Sequence, residues 1–540
     1  MKLVTVAEMQ QVEREADASG LTYTQMMENA GTSLAEIVHA HAGVGGPGRI
    51  LALVGPGNNG GDALVALAGL AAKGWQVCAY LVRPREPDDP LVEGVRKAGG
   101  EVQARAGDGE FKRLGELLGS FNILLDGVLG TGVRLPLTQD MADVLGFVKA
   151  GLEGKPGSHI VVAVDCPSGV DCDTGQAAPE CLKADLTVTM AAVKQGLLCF
   201  PAAELTGDLR IANIGSLETL KTWQSLSRFV AHAAYVRQVL PLRPRTAHKG
   251  TFGTALVVAG SVNYTGAAWL AGQAAYRCGA GLVTLAVPFP LHAVLAGQFP
   301  EATWLLLPDE MGVIAESAVQ VVQEGLQRVT ALLVGPGFGL EETSQRFLDG
   351  LFSSANPQRK SLGFAPQAKG TSASENAPLP PLVVDADGLK LLSRLRDWPS
   401  RLPAPAVLTP HPGEMAVLTG LEKDELMSDR ITTAEHFAHK WGHVVVLKGA
   451  FTVIAAPDGR TALIPVATPA LARAGTGDVL AGLIVGLRAQ GVEAFEAAVA
   501  GAWIHAQAGL HAAQALGSTA AVLAGDVLKA VSSQMASLGR

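Results

Sequence analysis

Cysteine is scarce in this chain: six among 540 residues, with no CxxC pair and no cysteine–histidine spacing suited to a metal. That excludes a disulfide framework and a zinc module. Reduced cytosolic thiols are the expectation for Cys78, Cys166, Cys172, Cys181, Cys199 and Cys278. Charge is thin as well: charged side chains make up 17% and sum to −8, against non-specific nucleic-acid binding as a main role. No apolar run reaches the length of a membrane span, because polar residues interrupt the Ala-, Leu- and Gly-rich stretches. The amino terminus becomes acidic and polar within a few residues, so no signal peptide is read there. What is plentiful is apolar side chain, at 48%, and glycine, at 63 residues. Such a chain is globular, rich in strand-to-helix turns, and long enough for two large domains.

The segment around which the rest is organised lies late, from Arg473 through Gly475-Thr476-Gly477-Asp478 to Gly482. A glycine turn here feeds an apolar, Ala- and Gly-rich helix. Free N–H groups and the helix dipole favour an anion at such a start. A carboxylate beside an anion hole suits a general base that deprotonates an alcohol for phosphoryl transfer. A plain aspartate cap explains the same four residues, so the rest of the chain must decide.

Helices are expected over 5–19 and 24–41, the second with Met26, Met27, Ala30, Leu34, Ile37 and Val38 at helical spacing. The apolar run 49–54 reads as a buried parallel strand leading into Gly55-Pro-Gly-Asn-Asn-Gly-Gly-Asp62, with a helix resuming at Ala63. This is neither the dinucleotide fingerprint nor a Walker loop. The side-chain oxygens of Asn58, Asn59 and Asp62 could bind ribose hydroxyls or a hard cation. Two later strands end in Asp126 and Asp165, each followed by a loop of Gly, Ser or Thr that includes Ser168. Strand C-terminal ends are where open α/β sheets place ligands, so these oxygens could meet in one cleft.

Three motifs of this half, GPGNNGGD, DGVLGTG and VDCPSGVDCDTG, resemble the N-terminal epimerase domain of the NAD(P)H-hydrate repair enzymes over nearly all of residues 1–215. The resemblance implies interconversion of the R and S epimers of hydrated NADH and NADPH. It implies hydrate contacts from Asn58, Asn59, Gly60, Gly61 and Asp62, and from Gly130, Thr131, Gly132, Val133, Arg134, Leu135 and Pro136. Asp165 would stand at the substrate as a catalytic group, and Asn59, Asp126 and Ser168 would hold a potassium ion. Oxygen ligands suit a hard cation without telling potassium from magnesium or water. Ala63 departs from the glycine the family more often has after the aspartate. The same fold also serves a scaffold of mRNA decapping, which keeps a non-catalytic binding module open.

Residues 216–247 lack strand periodicity and read as a connection to a second domain over 248–540. There, strands are expected at 254–259, 281–287, 330–334, 382–385 and from 444 to Lys448 at its end, followed by Gly-Ala-Phe-Thr, with His411 in a stiff loop between prolines. Asp458-Gly459 is a hairpin turn signal. Residues 353–381, rich in Pro, Ser and Gln, bring too few apolar groups to offset ordering and read as a mobile surface insertion.

The motifs GSxxYTGA, GPGFG, VVDADGL, TPHPGEM, KG and AGTGDVLAG resemble the ADP/ATP-dependent NAD(P)H-hydrate dehydratase domain, of the ribokinase-like superfamily, over about 235–540 apart from the insertion. Two three-layer α/β/α domains are therefore expected, the first Rossmann-like and the second ribokinase-like. The resemblance implies that Ala267, Gly337, His411 and Asp478 face the hydrate, with Asp478 catalytic. Lys448, Gly449, Ala450, Phe451, Thr452 and Gly477 would face the adenine nucleotide. The implied chemistry phosphorylates the C6 hydroxyl of the S-hydrate, after which phosphate leaves and the nicotinamide is restored. ADP is the expected co-substrate, with Mg2+, and the fusion order points to a bacterial cytosolic enzyme. The implied partners are small molecules, with no nucleic acid or membrane, in a homo-oligomer. A kinase of a small alcohol with an N-terminal binding module is the alternative.

Overall fold

Alternation along a single strand shows how the first unit is layered. The structure, a computed structural model, describes residues 1–42, 46–153, 159–354 and 378–539. The chain divides into two units, Met1–Phe229 and Val230–Arg540. In Arg49–Val54 (β1), Ile50, Ala52 and Val54 join one buried cluster while Leu51 and Leu53 join another. A strand with two apolar faces needs cover on both, and helices supply it. The first cluster takes side chains from Val6–Ala18 (α1), Tyr23–Ala42 (α2) and Asn58–Ala72 (α3). The second takes them from the helices over 112–120 and 139–153.

The remaining strands of this sheet are Gln76–Leu81 (β2), Glu101–Ala104 (β3), Ile123–Gly127 (β4), Ile160–Val164 (β5), Leu186–Met190 (β6) and Asp208–Ala212 (β7). Their order is β3-β2-β1-β4-β5-β6-β7, parallel throughout. The order reverses between β1 and β4, so the loops after those two strands flank the crevice where such sheets bind ligands. β3 escapes sequence reading because it is a short, half-exposed edge strand with no apolar run.

The second unit is built on Thr254–Val258 (β8), Leu282–Pro288 (β9), Thr303–Leu307 (β10), Ala331–Val334 (β11), Leu382–Val384 (β12), Val407–Leu408 (β13), Val444–Leu447 (β14), Val453–Ala455 (β15) and Thr461–Leu463 (β16). These run in the order β16-β15-β14-β13-β12-β11-β8-β9-β10. Pairing is parallel from β10 to β14 and antiparallel across β14–β15–β16. The Asp458-Gly459 signal is a true hairpin turn, with Gly459 at φ 91 between β15 and β16. The strand expected to end at Lys448 is β14, over Val444–Leu447, and Gly449 and Phe451, at φ 150 and 53, turn the chain before β15.

Two further expectations need correction. The helix after GPGNNGGD starts at Asn58, not Ala63, so Asn58 and Asn59 lie in its first turn and Asp62 just beyond it. Gly60 permits this: a Cβ there would stand 2.1 Å from the Gly55 carbonyl oxygen. The segment 216–247 is not free of regular structure, since it holds helices at Lys221–Ser225 and Ala233–Val239 and a strand at Arg228–Val230. The expected insertion over 353–381 falls, for residues 355–377, outside the described residues.

Candidate active sites

Asp126 lies in β4 with its side chain fully buried, and Ser168 meets both of its oxygens. The Ser168 amide donates to Oδ2 at 2.8 Å and the hydroxyl to Oδ1 at 2.5 Å. The same hydroxyl accepts from the Leu129 amide at 2.9 Å, and Asn59 Nδ2 donates to the Leu129 carbonyl at 3.0 Å. Three strand ends therefore converge around Leu129. Burial pushes the Asp126 carboxyl up, while the Ser168 bonds pull the other way. Gly130 closes against this cluster, since a Cβ there would lie 3.3 Å from the Asn59 side chain. Asn58, Gly132, Arg134, Leu135 and Pro136 are exposed, and Thr131 and Val133 half-buried, along the rim of that loop.

Asp165 follows β5 at φ 64, a left-handed backbone that aspartate tolerates better than most residues. Its Oδ1 accepts from Thr189 Oγ1 at 3.1 Å, from the Met190 amide at 2.9 Å and from Lys194 Nζ at 2.5 Å. Among the described residues no donor meets Oδ2. Lys194 is 1% exposed, and its ammonium also donates to Thr189 Oγ1 at 3.1 Å and the Met190 carbonyl at 2.9 Å. Burial disfavours its charge, yet the carboxylate of Asp165 outweighs that and holds the ammonium above its ordinary range. Asp62, the fifth residue of α3, is pushed well up by burial and then by Asp165, against the pull of Lys194; Glu13 adds to the rise. One carboxyl raised by burial beside a carboxylate fixed by a lysine is a pairing suited to proton transfer.

In the second unit, Gly475 at φ 88 turns the chain into the helix Thr476–Ala489 (α6 below, after Thr265–Arg277 as α4 and Pro412–Thr419 as α5). Asp478 is the third residue of α6 and half-buried. Its carboxyl is pushed up to about 7, by burial first and then by Asp385, with Asp387 and Glu414 adding and Lys448 opposing. Lys448 is not a lone cation: Nζ donates to Asp385 Oδ1 at 2.8 Å and lies 3.6 Å from Glu414 Oε2. Thr409 Oγ1 donates to the same Asp385 oxygen at 2.7 Å. Gly477 sits over this pair, where an added Cβ would lie 3.6 Å from Lys448 Nζ and 3.8 Å from Asp385 Oδ2.

His411 caps α5: its Nδ1 accepts from the amides of Gly413 at 3.0 Å and Glu414 at 3.3 Å, and the His411 amide donates to Glu414 Oε2 at 2.9 Å. With Nδ1 an acceptor, the neutral ring carries its proton on Nε2. Burial lowers the imidazole, and Glu414 opposes. Gly337 and Ala267 abut, since a Cβ on Gly337 would stand 2.9 Å from that of Ala267. The stretch after β14 is fixed by Arg430, whose guanidinium donates to the carbonyls of Leu447 at 2.9 Å, Lys448 at 3.3 Å and Ala450 at 2.5 Å. Gly449 and Thr452 bond to each other across this turn, and the Phe451 amide donates to Val466.

Four residues of these sites escaped sequence reading: Lys194, Asp385, Asp387 and His505. Lys194 carried one signal, a lone ammonium in the apolar stretch 186–198. Asp385 and Asp387 stood in a strand-end motif without an assigned role. His505 lies in the helix Ala494–Leu516 (α7), with no partner for Nε2 among the described residues and the ring lowered to about 4 by burial and then Lys448, against a hydrogen bond to the Thr476 backbone. A single histidine in an alanine-rich helix gives no sign of the turn it supports.

The family model described as NAD(P)H-hydrate dehydratase matches residues 255–532, and that described as YjeF-related protein N-terminus matches residues 23–196. A bifunctional NAD(P)H-hydrate repair enzyme of Moorella thermoacetica is 37% identical over 536 residues, 98% of this chain and 95% of the relative. One of Thermofilum pendens is 35% identical, over 96% and 93%. Among solved structures, the ADP/ATP-dependent NAD(P)H-hydrate dehydratase of Bacillus subtilis, co-crystallised with ATP/Mg2+, is 28% identical at a TM-score of 0.46, covering 57% of this chain and 98% of that one.

Proposed function

The chain belongs to the family of bifunctional NAD(P)H-hydrate repair enzymes, and we propose that its two units divide the work between the Asp62–Asp165–Lys194 cluster and the Asp478 turn. The first unit equilibrates the R- and S-hydrates of NADH and NADPH. The second restores the S-hydrate to NAD(P)H at the expense of a nucleotide.

Inversion at C6 is helped by the ring nitrogen next to it. The hydroxyl departs as water when a proton reaches it, and water then adds to the opposite face. Asp62, whose carboxyl burial pushes well up, is the donor to the leaving oxygen. Asp165 Oδ2, left open while Oδ1 meets three donors, takes the proton from the incoming water. The oxygens of Asn59, Asp126, Ser168 and Leu129 fit a monovalent cation, since one carboxylate among neutral oxygens matches a single positive charge. Potassium there would order the three strand ends. Asp126→Ala is expected to weaken epimerisation and its potassium dependence while dehydration of pure S-hydrate stays near wild type. An equal fall in both rates would show that the two activities are not separate.

In the second unit, Asp478 accepts the C6 hydroxyl proton while the N–H groups at the start of α6 hold the phosphoryl group arriving from the nucleotide. Phosphate then leaves with the former hydroxyl oxygen, C5 loses a proton, and the ring double bond returns. With ADP the products are NAD(P)H, AMP and phosphate. Among the described residues no three His, Cys, Asp or Glu side chains form a metal cage. Mg2+ would be carried largely by the nucleotide phosphates, with a carboxylate such as Asp385. The Lys448–Thr452 turn lies beside this end of the sheet as the nucleotide's other contact.

The observation that carries this reading is a carboxyl raised to about 7 at a glycine-turned helix start. A cytosolic homo-oligomer acting on small molecules completes the proposal. The test is a mixture of R- and S-hydrates with ADP. Reduced-nicotinamide absorbance is expected to recover fully, because epimerisation feeds the S form as it is consumed. Recovery that stops at the initial S fraction would remove the epimerase assignment, and none at all would remove both.

A further inference from the structure

Asp385 and Lys448 follow the carboxyl ends of parallel strands in the second sheet, and the opposite edge of that sheet has no part in the reaction proposed above. There Gly253, Thr330 and Pro381 each stand one residue before a strand, at β8, β11 and β12. The turn from α6 to α7 packs against them, with Thr330 Oγ1 donating to the Ala489 carbonyl at 2.8 Å. Between these elements lies an open cavity of about 390 Å³, a volume suited to a small ligand. α6 joins the two edges, so the cavity lies roughly 16 Å along the helix from Asp478. Arg488, Gln490 and Glu493 line it. Arg488 is only 9% exposed, and a guanidinium that deep ordinarily meets a carboxylate or several carbonyls. Here Nη1 donates to the Val492 carbonyl at 2.6 Å, and among the described residues neither Nε nor Nη2 meets an acceptor. Burial lowers the guanidinium, with Glu493 and Glu496 opposing from beyond ion-pair distance.

We propose that this cavity is a separate binding site, for the phosphate group of a small phosphate monoester. Nε and Nη2 share one edge of the guanidinium, and their parallel N–H bonds match two oxygens of a single oxyanion. An anion there gives the buried fork the acceptors that the chain withholds. A second cation stands at the border: Arg243 Nη2 lies 3.4 Å from Gln490 Oε1, with its guanidinium held 4.1 Å over the Phe252 ring. Two guanidinium groups suit the double charge of a phosphate monoester better than the single charge of a carboxylate. The cavity is larger than a phosphate, which leaves room for the body of the ester. Glu493, exposed at the border, opposes a dianion and tempers how tightly one is held. None of this depends on the role given to Asp478.

The test is calorimetric titration of the full chain with glycerol 3-phosphate, at saturating ADP so that the nucleotide site is filled. The wild type is expected to bind it saturably, more tightly than inorganic phosphate, and not to bind glycerol. Arg488→Met should raise Kd about tenfold or more, the loss of a charge-assisted pair of bonds. Glu493→Gln should lower Kd a few-fold, and the two variants should dehydrate S-hydrate at the wild-type rate. Opposite signs from two substitutions at one cavity are what binding elsewhere on the protein would not produce. Without ligand, Arg488→Met should melt no lower than the wild type, because it removes a buried charge that has no ionic partner. A lower melting temperature with unchanged Kd would make Arg488 a clasp on the α6–α7 turn and overturn the proposal. So would the same Kd in all three proteins, or no saturable binding to the wild type. Inorganic phosphate bound as tightly as the ester would make this a site for the free anion and overturn the monoester. Should Arg488→Met fail to fold, Glu493→Gln decides alone: its side chain is exposed and makes no capping bond to α7, so folding is not at stake.

Discussion

Asp478→Asn is expected to slow nucleotide-dependent dehydration by about 10²–10⁴-fold, the usual loss when a general base is removed. Asparagine keeps the size and the place in the first turn of α6, so folding, nucleotide binding and epimerisation should survive. The pH dependence carries the same assignment. A base at about 7 must be ionised to work, so kcat/KM of the wild type should rise with pH through about 7 and level off above it. Stability runs the other way. The carboxyl is raised in the folded state, so it is held favourably at low pH, and that stability is lost as pH climbs from the ordinary carboxylate range through about 7. Removing the titrating group should therefore raise the melting temperature of the second unit at pH 8 and change it little at pH 4. Dehydration near the wild-type rate in folded Asp478→Asn would leave the glycine turn an anion-binding cap and no more.

What the sequence makes legible follows from what each residue must do alone. β1, β2, β5 and β8 are apolar runs bounded by turn residues, so their positions read directly from composition. Strands β3 and β10 lie at sheet edges with half-exposed patterns, and no apolar run marks them. Asn59, Asp126, Ser168 and Asp478 stand in glycine-rich strand or helix ends, where a polar residue after an apolar run draws notice. Lys194 sits inside an apolar stretch, and Asp385, though it ends a strand, shows no sign of what it pairs with. Their meaning lies in a partner distant in the chain: Asp165 is 29 residues from Lys194, and Lys448 is 63 from Asp385. His411 was visible as a polar residue in a stiff loop, but its capping of α5 depends on the backbone it turns back upon. Local chemistry is written in order along the chain, whereas charge compensation is written only in space.

Lys194→Met should abolish most epimerisation while leaving the dehydration of pure S-hydrate unchanged. The lysine is buried, and its three protons have partners in Asp165, Thr189 and Met190. It has no donor left for substrate, so its part is to fix Asp165 Oδ1 and leave Oδ2 aimed at the reacting water. Methionine fills a similar volume without the charge. The carboxylate then loses its counter-ion inside the protein, a loss of about 3–5 kcal/mol when one partner of a buried pair is removed. For a unit of this size that lowers the melting temperature by on the order of 10 °C. Misplacing the carboxylate should lower kcat on the order of 10²-fold with a smaller change in KM. A merely structural lysine predicts something different, and adding Asp165→Asn separates the two. In the double variant no buried charge is left unpaired, so the melting temperature should return most of the way to wild type. Epimerisation should stay lost, because the proton acceptor is gone. A folded Lys194→Met protein that epimerises at the wild-type rate would free Asp165 from this lysine and return the ion pair to the stability of the sheet alone.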